Sequence, residues 1–351
     1  MRCHHGPVRR TLLLVVAGAL VALTPASPAA AHSVAGAGAT NYLARLHSVE
    51  PPVPGIEVRV VEHGSRVEMT NTSDEDVVVL GYRDEPYLRV GPDGVFENAR
   101  SPATYINRER TATADIPRSA DPEAAPEWRK VSDGRTARWH DHRMHHMGQS
   151  DPPAVRDAPG ERHVVTPEWT VTMRHGDTTI RATGDLVWVP GPSPVPWLAV
   201  AALLAIATAA VVITASWAPA LAAITAVLVV IDVAHVVGTA AFAAGSFIGA
   251  LGDTLGGSVL SLIGWAAGAA TVGLLARHRP EGLFAAGVAG VSIAVNGGLA
   301  DLADLSRSQL PFAWPDVLGR AAVVGAIGLG LGLVVAAFLG VARHPVTLEA
   351  R

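Results

Sequence analysis

Five apolar runs, residues 197–216, 220–244, 258–276, 282–299 and 320–342, fill the second half of this 351-residue chain. A bilayer core of about 30 Å takes about 20 helical residues to cross, and each run is near that length. In hydrocarbon a backbone must satisfy its own amides and carbonyls, which restricts such runs to helices. They predict an all-α transmembrane bundle of five helices over residues 196–344, followed by a short tail, 345–351. Small residues recur in it, as in GAIGLGLG (325–332), and small residues let helices approach closely.

The first half is of another kind. It carries most of the charge, and the proline-rich VPGPSPVPW (189–197) separates it from the apolar half as a stiff, extended junction. In PGIEVRVVEH the apolar Ile56, Val58 and Val60 alternate with Glu57 and Arg59, the period of a strand with one buried face. RVEMTNTS and DVVVLGY follow after short turn signals, and EWTVTMRH and TTIRATGDLVWV flank Gly176-Asp177, a hairpin signal. Residues 32–195 therefore read as an all-β head, a sandwich of the immunoglobulin or cupredoxin kind, with no evident helix and with 100–135 as a long surface loop.

The amino terminus has the form of a secretory signal peptide: Arg2, Arg9 and Arg10, an apolar run from Thr11 to Leu23, then PASPAAA. Ala29 and Ala31 suit the third and first positions before a cut, so residues 1–31 are expected to leave and the mature chain to begin at His32. A cut after Ser33 is the alternative. An exported head sends the first span inward, which places Arg277, Arg279 and Arg343 in the cytoplasm and Asp301, Asp304 and Asp316 outside. That agrees with the excess of basic residues expected in cytoplasmic loops. The expected location is the cell membrane, multi-pass, with the head extracytoplasmic and the carboxyl terminus cytoplasmic. The single cysteine, Cys3, leaves with the leader, so any metal site must use His, Met or carboxylate donors.

One stretch is dense in such donors. RWHDHRMHHMGQS (138–150) holds His140, His142, His145 and His146 with Met144 and Met147. On an extended strand His140 and His142 would project from one face. Their Cβ atoms would lie roughly 6.5–7 Å apart, near enough for both rings to reach one ion at about 2 Å each. A mature chain starting at His32 adds an amine and a ring nitrogen, and an amine pKa of about 7.7–8.0 makes deprotonation cheap near neutral pH. Amine and imidazole donors favour Cu(II), and Met144 and Met147 offer thioethers for Cu(I). The expected metal set is thus His32, His140, His142, Met144, His145 and Met147 with copper as the ion. The alternatives are zinc or adventitious binding, or a solvated loop with no metal role.

An exported chain beginning with His, then a β-head with His-x-His, then membrane helices resembles the copper-binding subunit of particulate methane and ammonia monooxygenases. In that family the amino-terminal histidine and a His-x-His pair share copper, which implies His32, His140 and His142 here. The likeness covers the layout and three residues; this chain lacks that subunit's second soluble domain and has more spans, so a monooxygenase role is not implied. The amino-terminal histidine is also similar to that of exported copper carriers and polysaccharide monooxygenases. WHDHR (139–143) and YLRVGPDGVFENARSPATY (87–105) resemble a family of exported bacterial membrane proteins.

In the second span Asp232 and His235 are three apart, on one helix face. Ionisable groups at that depth are costly enough to imply a partner or a polar path, so a proton relay and a self-neutralising pair are both open. No phosphate-cradling glycine loop, GxSxG elbow or HExxH motif is present. A net charge of −4 with scattered basic residues argues against nucleic-acid binding. The expected partners are the lipid bilayer and a copper donor or acceptor protein. The function this implies is copper acquisition, delivery or resistance. A partner-binding envelope protein without metal and a copper-dependent oxidase or oxygenase are the alternatives.

Overall fold

The computed structural model describes residues 38–109, 114–148 and 150–343. The expected leader, His32 and the tail 345–351 lie outside the described residues. The chain divides into two compact units, one of Thr40–Gly191 and one that holds the chain from Pro192 onward.

The first unit is built on ten strands: β1 (Tyr42–Glu50), β2 (Ile56–Val61), β3 (Arg66–Asn71), β4 (Val77–Leu80), β5 (Pro86–Gly91), β6 (Gly94–Asn98), β7 (Trp128–Ser132), β8 (Thr136–Trp139), β9 (His163–His175) and β10 (Thr178–Trp188). They form two antiparallel sheets, one of seven strands in the order β1-β10-β9-β4-β5-β6-β7 and one of three in the order β2-β3-β8. The alternation read in β2 holds: Val58 is buried, whereas Glu57 and Arg59 are exposed. The β9–β10 hairpin turns at Gly176, at φ +54°, and pairs His175 with Thr178. One apolar cluster draws Val58, Val67, Met69, Ala137 and Trp139 from the small sheet and Val79, Met173, Ile180 and Leu186 from the large one. Beside it Glu68 of β3 is buried between Arg59 of β2 and Arg138 of β8, its cross-strand neighbours, and bonds both.

Residues 100–135 are not one long loop. Ser101 caps a short helix, α1 (Pro102–Ile106), by accepting from the amide of Ala103, and Pro102 supplies the fixed φ that suits a first turn. Further on, β7 joins the sheet edge by pairing with β6. Its sequence, WRKVS, buries little and so has no amphipathic period to betray it. A second short helix, α2 (Pro153–Asp157), also starts at proline.

The second unit is helical: α3 (Val195–Ala210), α4 (Trp217–Phe242), α5 (Phe247–Gly257), α6 (Val259–Leu275), α7 (Gly282–Ile293) and α8 (Asp316–Arg343). Among the described residues four segments, Val195–Ile213, Trp217–Phe242, Gly282–Leu299 and Asp316–Arg343, are long and apolar enough to cross a membrane. The third expected span, 258–276, corresponds to α6, and a short helix not expected there, α5, precedes it, bent from it by 82° at Ser258; counted as one, the pair makes a fifth. Ser246 sets the extra helix, its hydroxyl accepting from the amide of Gly249. Large apolar side chains such as Leu203, Ile206, Val230 and Ile248 face outward, as a bilayer environment requires.

Helix α8 is the most buried span and packs against α3, α4 and α7. The small residues let it do so. A Cβ on Gly330 would come within 2.7 Å of the Gly290 carbonyl of α7, and one on Gly328 within 2.7 Å of the Ala201 carbonyl of α3. Backbones touch there, so added volume must push helices apart. Gly330→Val is expected to cost about 1–3 kcal/mol, the usual price of overpacking. Gly252→Val, with nothing within 4 Å of its Cβ, leaves stability unchanged. Thermal unfolding of the detergent-solubilised protein, followed by far-UV circular dichroism, compares the two.

Candidate functional site

The histidine-rich segment is held by a buried ion pair. Strand β8 ends at Trp139, and Asp141 caps a single 3-10 turn, His142–Met144, by accepting from the amide of Arg143. His140 and His142 are therefore not two residues of one strand, as the alternation suggested. The alternation itself has another cause: Trp139, Asp141 and Arg143 point inward together. Asp141, fully buried, accepts from the Trp139 indole at 3.0 Å and from the Arg143 guanidinium at 2.7 and 2.8 Å. Arg143 also reaches the Leu80 carbonyl at 3.3 Å and lies over the Tyr82 ring. Burial alone would raise the Asp141 carboxyl, but the Arg143 guanidinium and the Trp139 indole hold it below the usual aspartate value. Burial, reinforced by the Asp141 charge, raises the Tyr82 phenol. That hydroxyl donates to Asn107 and accepts from the amide of His142 at 3.0 Å.

This frame sets the imidazoles. The rings of His140 and His142 lie 5.1 Å apart, edge to face, and His145 stacks on His140 at 4.1 Å. His140 donates from Nδ1 to the Ser65 carbonyl at 2.9 Å, and His142 from Nε2 to the Glu109 carbonyl at 2.8 Å. A carbonyl only accepts, so each bond fixes a tautomer and leaves the other ring nitrogen, Nε2 of His140 and Nδ1 of His142, as the lone-pair atom. Metal-ligating histidines carry this kind of support. Met144 is fully buried in the apolar core, so its thioether fills space there, while Met147 is partly buried. His146 stacks on Tyr42 and bonds the Ser150 carbonyl. Among the described residues no group of three or more His, Cys, Asp or Glu is placed to hold a metal ion. The stacked pair explains this in part, because parallel rings do not aim their nitrogens at one point. His140 and His142 fit a two-nitrogen clip; His32, the expected third donor, is outside the described residues.

In the helical unit Asp232 and His235 share a face of α4 but take different partners. Asp232 accepts from the Trp265 indole of α6 at 2.7 Å. His235 Nε2 meets Asp301 Oδ2 at 3.1 Å, and the ring stacks on Phe312. Helix α7 runs into a π-helical turn, Ala294–Leu299, a form often found at functional positions. The turn brings Asn296 to the Ser261 hydroxyl at 2.8 Å and Gly297 against Asp232, where a Cβ would come within 2.2 Å of the carboxylate. Beyond it Asp304 is buried, and burial together with the Asp301 charge pushes its carboxyl up to about 7. Arg320 of α8 bonds the carbonyls of Asp304 and Arg307, pinning this connection.

The sequence reading missed Tyr82, Ser65 and Glu109 as supports, the latter two because they act through backbone carbonyls. Trp265 had a visible signal: an indole N–H in an apolar run needs a partner.

No family model, curated protein or solved structure matches this chain.

Removing one member of a buried ion pair strands the other charge, at about 3–5 kcal/mol. Arg143→Leu should therefore destabilise the head by that amount. Asp141→Leu combined with Arg143→Leu should recover a large part of it, as read from the near-UV circular dichroism melt of the tryptophans.

Proposed function

We propose that the chain is a membrane-anchored protein whose β-rich head, a sandwich closed by the core its two sheets share, binds copper on the extracytoplasmic side. The carbonyl-fixed pair of His140 and His142 carries this reading, since it leaves one lone-pair nitrogen on each of two adjacent rings. A third and fourth nitrogen come from the ring and amine of His32 once the leader is cut, as the likeness to the copper-binding monooxygenase subunit implies. His145 and Met147 follow the clip in sequence as candidate donors to a second or a reduced ion. Acquisition, delivery or resistance is the role, with a copper donor or acceptor protein as partner and the carboxyl terminus in the cytoplasm.

A second reading keeps the head as a partner-binding envelope domain without metal. It is favoured by the lack, among the described residues, of three converging donors.

Cu(II) titration of the exported, full-length protein, with its first residue checked by amino-terminal sequencing, separates the two. His140→Ala is expected to weaken binding by well over tenfold, more than the roughly 10–100-fold span of lost supporting contacts at its lower end. Equal affinity in the wild type, His140→Ala and His142→Ala would overturn the copper reading in favour of the second.

A further inference from the structure

A second polar set, around Asp232 and His235, lies inside the helical unit. Asp232, His235, Thr239, Ser261, Asn296 and Asp301 line a cavity of about 10 Å³, the size that admits one water molecule. His235 is 8% exposed; its Nε2 is taken by Asp301, and its Nδ1 has no hydrogen-bond partner among the described residues. Asp232 lies ten residues before the end of α4 at Phe242, hence about 15 Å along the helix from that end. Asp301 sits just after the π-helical turn, where the chain leaves the apolar segment. Ionisable side chains thus run from the edge of the apolar layer to its interior, joined by an imidazole with one nitrogen on each side.

We propose that this cavity is a proton-binding site, with Asp232 as the group that holds the proton and His235 as the group that passes it between Asp301 and the cavity through one water molecule. The transfer balances without a co-reactant. The imidazole takes a proton at one nitrogen and releases one from the other, so His235 ends each passage neutral in its other tautomer, and the reverse passage restores the first. Uptake converts the Asp232 carboxylate to the acid, and release restores it. The surroundings suit that exchange. The Trp265 N–H can donate to either form of the carboxyl, Gly297 leaves it room, and Asn296, Ser261, Thr239 and Thr254 offer neutral dipoles that can solvate a water. The other charged groups facing the set are Asp304, Asp316 and Arg320, and Arg320 pairs with Asp316 at 3.5 Å.

Infrared spectroscopy of the full-length protein in lipid, titrated with acid, tests this. A carboxylic-acid C=O band is expected to grow in as the pH is lowered from about 9 to 5. The band should vanish in Asp232→Asn. It should shift in frequency in Trp265→Phe, which removes the indole bond and gives the assignment even if Asp232→Asn does not fold. His235→Gln should keep the band and slow its response to solvent proton exchange at least about tenfold, the low end for a positioned proton-transfer group. Absence of such a band across that range, or a band indifferent to both Asp232→Asn and Trp265→Phe, would overturn the proposal.

Discussion

The pair formed by Asp141 and Arg143 is the interaction on which the histidine-rich segment depends. Asp141 is fully buried beside Trp139, and Arg143, two residues on and half-buried, supplies the opposite charge without which the carboxylate would not tolerate the interior. Their attraction turns the end of β8 into a tight 3-10 turn, and the turn sets where the imidazoles go. Tyr82 and the Leu80 carbonyl extend the same frame to the far end of β4. The WHDHR pentapeptide thus works as two interleaved sets. Positions 139, 141 and 143 form the buried support, and positions 140 and 142 are the rings it presents.

A similar logic runs through the helices, with different chemistry. Polar groups there are matched to neutral donors, Trp265 to Asp232 and Asn296 to Ser261, and the charged residues gather near Asp301 at one end of the apolar segments. The π-helical turn is the device that allows this, since the widened backbone and Gly297 let a carboxylate of α4 lie against it.

Much of this was legible in the chain. The membrane segments declare themselves because each must hold some 20 apolar residues, and the five expected runs all correspond to helical segments with ends shifted by a few residues. The strands with one buried face, β2 and the β9–β10 hairpin, were equally plain. What escaped has physical reasons. Strand β7 is recruited by pairing along β6 and carries no buried stripe. Helix α5, FIGALGDTLGG, is short, glycine-rich and interrupted by Asp253, so it lacks the length and apolar content that mark a span. The strand expected at His140 and His142 was drawn from an alternation that reports the burial of Asp141 and its pairing with Arg143, an ion pair that hydrophobic patterning counts as exposed. Met144, read as a donor, went to the core because a thioether is also a flexible apolar filler.

The central claim is that this frame holds two neighbouring imidazoles in opposite tautomers before any ion arrives. Nitrogen chemical shifts of the full-length protein labelled with ¹⁵N-histidine, recorded at neutral pH without added metal, test it directly. The account predicts His140 protonated at Nδ1 and His142 protonated at Nε2, each in slow exchange with its alternative. Both rings in one common tautomer, or averaged between the two, would contradict it.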